Sequence, residues 1–210
     1  ILSLGIILSV RQMTWIFCGS HEIHELSHAS WTSYLISART IEVPLFSWEE
    51  TQHLLTVPLE HSHYWSSKSK EDIPRFSYEF WGKDGIERIY KESGGWPHLV
   101  QLIAESTIDL MNSFKQQKVD EELLEEALDK AIVSGTTVFY YLLHEESTLP
   151  GEWEYLTGFG DSVFQLPPVN QDIRKSLEKR LLIQEKEGLW SLRVPLMNRW
   201  LRKRMAKILA

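Results

Sequence analysis

The stretch Ser93-Gly94-Gly95-Trp96-Pro97-His98 constrains this chain more than any other, because it fixes where a long amphipathic helix begins. Two glycines allow unusual dihedrals and close backbone approach, and a proline presets φ for a first helical turn. The spacing of apolar residues behind it predicts a helix from Pro97 to Phe114. Free N–H groups and the positive dipole end of such a helix suit a nucleotide or another anion. The same residues also make an ordinary turn into a helix, so their meaning depends on what surrounds them.

With 210 residues the chain can hold one large domain or two small ones. A hydrophobic content of 43% and nine tryptophans argue for a folded protein. The net charge of -7 weighs against a general nucleic-acid binder, which carries a basic footprint. Cys18, the single cysteine, excludes an intramolecular disulfide and suits a reducing cytoplasm. Inside an apolar run it reads as a packing residue whose thiol burial makes inert. The apolar opening from Ile1 to Val10 is about half the length of a membrane span and lacks the flanks of a signal peptide. It reads as a buried element cut from something upstream. The expectation is the C-terminal portion of a longer, cytoplasmic protein with no membrane contact.

Met13 to Cys18, ended by Gly19-Ser20, reads as a buried strand of a parallel sheet. Ala38 to Pro44 reads as a second strand, and a partly helical connection between the two gives one βαβ-like unit. From Ser47 the pattern turns helical, opening with the capping box Ser47-Trp48-Glu49-Glu50. After a loose polar stretch from His61 to Asp72, helices are expected at Asp84 to Glu92, at Pro97 to Phe114 and, capped by Asp120, on to Val133. From Gly135 an aromatic helix, a short helix near Trp153 and a third from Gln171 to Leu181 come next. Leu182 to Glu185 and Leu189 to Arg193 then flank Lys186-Glu187-Gly188, a hairpin signal. Helix–helix–helix–hairpin is the order of a winged helix. A last helix opens on Pro195 and turns Leu196, Met197, Trp200, Leu201 and Met205 inward.

This order resembles the C-terminal part of STAND-type AAA-like ATPases, relatives of the archaeal ATPase group and the origin-recognition ATPases. The residues that carry the likeness are Ile16-Phe17-Cys18-Gly19-Ser20, Pro44-Leu45-Phe46-Ser47-Trp48-Glu49-Glu50, Gly94-Gly95-Trp96-Pro97 and the winged-helix pattern. The likeness covers essentially the whole chain through short motifs. It implies a fold that is mostly α with minor β. Residues 1–46 are then the remnant of an α/β P-loop-type core, 47–134 a helical lid and 135–210 a winged-helix domain. It further implies ATP or ADP as ligand, with magnesium in the full-length protein. Gly95-Trp96-Pro97 matches the family's Gly-x-Pro element against the adenine, and Ser20 or His21 falls at the sensor position near the γ-phosphate.

Two departures shape that expectation. Many relatives carry arginine after the strand, where His21 stands here, and no G-x-x-x-x-G-K-[ST] loop or acid-ended apolar strand occurs in the chain. Without the phosphate cradle, its lysine and the magnesium ligands, hydrolysis has no machinery. The resemblance therefore puts the P-loop core upstream, as the first partner of these residues. It expects no catalytic residue and no tight nucleotide binding from this chain alone, and a protein effector to complete a nucleotide-dependent switch.

Two other chemistries compete. His24-Glu25-Leu26-Ser27-His28 matches H-E-x-x-H, in which two histidines one turn apart share zinc and the glutamate is general base, as in zinc hydrolases. That chemistry needs a long, mostly buried helix that holds the second ring nitrogens. Here the segment is short and serine-rich, and eight histidines make chance spacings easy. Surface histidines are the simpler reading, so no metal site is expected; His61 and His63 read as solvated too. The other competitor is a DNA-binding winged helix. Arg199, Arg202, Lys203 and Lys207 share the outer side of the last helix, and the helix before the hairpin adds Arg174, Lys175, Lys179 and Arg180. The same basic face can instead dock on the acidic helix from Asp120 to Asp129 of a neighbour, or complement its own helix dipole. Glu121, Glu122, Glu125 and Glu126 read as the wet side of their helix.

Overall fold

The computed structural model describes residues 44–60, 62, 69, 71–147 and 149–209, with side chains as far as Arg204. The strand expected at Met13 to Cys18, and all but Pro44 of the strand expected from Ala38 to Pro44, lie outside these residues. Residues 45–210 form one unit, mostly helical, with a small two-stranded sheet.

Local chemistry sets most of the helix ends. Helix α1 (Trp48–Thr56) starts at Ser47, whose Oγ accepts from Glu50 N at 3.2 Å while Glu50 Oε2 accepts from Ser47 N at 2.7 Å. This reciprocal pair satisfies donors that a helix start otherwise leaves bare. Helix α2 (Gly85–Ser93) buries Ile86 and Ile89 and stops at Gly94, which turns left-handed. Helix α3 (Pro97–Phe114) presents Leu99, Val100, Ile103 and Met111 on one face, three or four residues apart. It ends where Lys115 turns left-handed and Gln116 N donates to Met111 O at 2.9 Å, closing the last turn. Asp120 caps helix α4 (Glu121–Ser134) by accepting from Leu123 N at 2.8 Å. Leu123, Leu124, Ala127, Leu128, Ala131 and Ile132 are its buried face, and α4 packs chiefly against α3.

Between α1 and α2 an aromatic turn joins the core. Trp81 is 1% exposed, and its Nε1 donates to Leu55 O at 3.0 Å. Phe76 and Phe80 lie 4.7 Å apart, and Phe80 meets Trp81 edge to face at 5.3 Å. Burial of each such side chain contributes about 1.5–3 kcal/mol.

After Gly135, helix α5 (Thr136–Tyr140) widens into a π-helical turn over Tyr141–Glu145. Helix α6 (Glu152–Thr157) and a 3-10 turn (Gly158–Gly160) lead on to helix α7 (Gln171–Lys179). That helix stops two residues short of the expected Leu181. Leu181 takes φ 55° and Leu182 N donates to Leu177 O at 2.9 Å, which ends the helical geometry. Strands β1 (Ile183–Lys186) and β2 (Leu189–Leu192) pair antiparallel, Ile183 opposite Leu192 and Lys186 opposite Leu189. Glu187 and Gly188, both at positive φ, make a two-residue turn that matches strand twist. Gln165 adds one bridge to Trp190 through two 2.8 Å bonds. Helix α8 (Pro195–Leu209) drives Leu196, Met197, Trp200 and Leu201 into a core that extends back to Leu55. Within that core Glu152 is fully buried. It accepts from Arg180 Nη2 at 2.5 Å, Ser176 Oγ at 2.9 Å and Leu149 N at 3.3 Å.

Candidate functional site

Three chain segments meet at the start of α3. Gly94 and Gly95 sit at φ 60° and 77°. A Cβ on Gly94 would stand 2.9 Å from the Arg193 carbonyl oxygen, and one on Gly95 2.5 Å from the Phe46 carbonyl oxygen. Dihedral and crowding both demand glycine here. Phe46 N donates to Gly95 O at 2.8 Å, and Ser93 Oγ accepts from Gly95 N at 3.3 Å while donating to Tyr90 O at 3.0 Å.

Half-buried aromatic rings gather around this joint: Phe46, Trp48, Tyr90 and Trp96. Trp48 meets Tyr90 edge to face at 5.8 Å, and Trp96 meets His98 at 5.5 Å. Trp96 Nε1 is buried and finds no hydrogen-bond partner among the described residues. A donor left so costs about 1–3 kcal/mol. Sequence named Gly95, Trp96 and Pro97, and the fold adds Phe46, Trp48 and Tyr90. Phe46 and Trp48 belong to the Pro44-to-Glu50 run that carries the family likeness, whereas nothing local marks Tyr90.

The row of free amides expected at this helix start is not there. Pro97 has no N–H, and Leu99 N and Val100 N both donate to Trp96 O at 3.0 Å. That leaves the His98 amide as the one free donor of the turn among the described residues. The joint therefore offers an aromatic, glycine-backed surface and little of an anion cradle. His98 reaches the surface, yet its surroundings desolvate the ring enough to hold its pKa below the usual imidazole value. Ser20 and His21 lie outside the described residues, as do Cys18, His24, Glu25, His28, His61 and His63.

Two residues of the basic face of α8 have acidic partners within the same chain. Arg199 donates to Glu92 Oε1 and to Glu125 Oε2, each at 2.8 Å. Arg88 closes the ring, with Nε 3.1 Å from Glu92 and Nη2 on Glu125. Lys203 pairs with Asp129 at 2.6 Å. Arg199 and Lys203, two of the four residues named for a DNA-binding face, are thus engaged by α2 and α4. Hydrogen bonding from Arg199, partly offset by burial and helped by the charges of Arg199 and Arg88, holds the Glu125 pKa below its ordinary value. On α7, Arg174 leans over the Trp190 ring at 4.6 Å and lies 3.4 Å from Glu178, while Arg180 serves Glu152.

Among the described residues no three His, Cys, Asp or Glu side chains group to hold a metal, and no helix is long and apolar enough to cross a membrane. No family model, curated protein or solved structure matches this chain.

Proposed function

We propose that this chain is the lid and winged-helix portion of an ATP-binding switch of the AAA-like, STAND type, with its P-loop core supplied upstream. The observation that carries the reading is the joint at Gly94 to Pro97. There a side-chain-free backbone at positive φ is ringed by half-buried aromatics, and an indole N–H has no partner among the described residues. Adenine is flat, apolar on its faces and rich in acceptors on its edge. Against this joint it stacks on the half-buried aromatic rings.

Gly94 also packs against the Arg193 carbonyl at the hairpin exit, so a ligand at this point acts on the winged helix through backbone contact. The winged-helix reading itself rests on the order α5, α6, α7, hairpin, with Gln165 as the extra bridge. Residues 47–134 act as lid, and a cytoplasmic location accompanies the assignment. This portion binds the base and relays its presence; it performs no hydrolysis alone.

The test uses the protein expressed from its complete reading frame and a fluorescent ATP analogue. Trp96→Ala is expected to weaken binding about tenfold, the scale of one base–aromatic stack, while the protein still melts cooperatively. A reading frame without a P-loop, or binding indifferent to Trp96, overturns the assignment.

A further inference from the structure

A cavity of about 330 Å³ opens between α1, the aromatic turn and the middle of α3. It contains none of Gly95, Trp96 and Pro97, so it is separate from the joint above and independent of that reading. Leu55, Phe76 and Trp81 line its apolar side, and Ala104 and Ile108 line it from α3. Its volume is at the small end for ligand pockets.

The polar groups at this cavity are one-sided in charge. Glu105 and Asp109 lie on the α3 edge, and no lysine, arginine or histidine lines it among the described residues. Asp109 is engaged by Lys130 Nζ at 2.7 Å. Glu105 is exposed and has no ion-pair partner among the described residues. Trp81 spends its N–H on Leu55 O and is almost wholly buried, so it backs the cavity and offers neither a donor nor an open ring face. An uncommitted carboxylate at the rim attracts a cation. Among the described lining residues an anion meets two carboxylates, one of them already paired with Lys130.

We propose that this cavity binds a small organic cation: an apolar, aromatic-sized body ending in an ammonium group, the body against Phe76 and Ile108 and the charge beside Glu105. Ala104 is the residue whose size keeps the space open. Titration calorimetry on the whole chain tests this with three probes that share one body: phenethylamine, phenethyl alcohol and phenylacetate. The amine is expected to bind about threefold tighter than the alcohol, the scale of one exposed ion pair. Phenylacetate is expected not to bind.

Glu105→Gln, at an exposed position without an ion-pair partner among the described residues, should bring the amine down to the alcohol's affinity and leave the alcohol unchanged. Ala104→Phe should remove binding of both; should it fail to fold, the Glu105→Gln result decides alone. Equal affinity for amine and alcohol, no binding of the amine at millimolar concentration, or a preference that survives Glu105→Gln overturns the proposal.

Discussion

Glu152 and Glu92 are both nearly sealed from water and both served by arginine, yet they do different work in the fold. Glu152 has both oxygens occupied, by Arg180, Ser176 and the Leu149 amide, and all of these lie within 28 residues of it. Glu92 receives Arg88 and Arg199 on one oxygen, while its other oxygen has no partner among the described residues. Arg199 comes from 107 residues away and shares itself with Glu125, whose side chain is 44% exposed. A buried carboxylate with both oxygens met fixes one arrangement and punishes any break. A half-exposed ring holds two distant stretches with a strength that salt and acid adjust. The C-terminal portion is thus locked internally and fastened to α2 and α4 by a weaker tie beside its apolar contacts.

Breaking the inner lock should cost most. Glu152→Ala leaves Arg180 without its counterion and is expected to lower unfolding free energy by about 3 kcal/mol in a denaturant titration. A loss under about 1 kcal/mol would erase the contrast with Glu92. Next comes the joint, which neither glutamate touches. Gly95→Ala forces a Cβ 2.5 Å from the Phe46 oxygen at φ 77° and should cost about 2 kcal/mol. Gly188→Ala is the control, since φ there is 80° with nothing within 4 Å. About 1 kcal/mol at Gly188 would separate the dihedral cost from the crowding.

The smallest effect belongs to the outer tie. Arg199→Ala and Glu125→Gln should each cost about 0.5–1 kcal/mol, add up to less than their sum in the double variant, and fade in molar salt. The pH sign comes from Glu125, whose folded pKa is depressed below 4.5. Its contribution is complete above that value and is lost as pH falls through the lower folded value. Thermal melts carried into acid should therefore fall more steeply for the native chain than for Glu125→Gln.

How much the sequence discloses depends on the range of the interaction. Caps at Ser47 and Asp120, and the start of α3 at Trp96-Pro97, are decided within four or five residues, and the sequence shows them. The end of α7 is not legible, because a leucine at φ 55° is imposed by the strand pairing that begins at Ile183. Nor does any periodicity mark Phe76, Phe80 and Trp81 as core, since they sit on a turn. A basic helix face reads the same whether its acids belong to a partner or to residues 74 and 107 positions back. At the candidate site the glycines and Trp96 are visible as a motif. The unmet indole donor and the missing anion cradle emerge only when the first turn of α3 is built, since Leu99 and Val100 give their amides to Trp96.

The bare backbone at 94–95 is pressed by residue 46 on one side and by residue 193 on the other. It behaves as a shared bearing between stretches that are otherwise far apart along the chain. Rotation of α3 about its first turn cannot spare either neighbour: the lead-in to α1 and the exit from the hairpin must shift together. A wedge placed at that one point gains leverage over both.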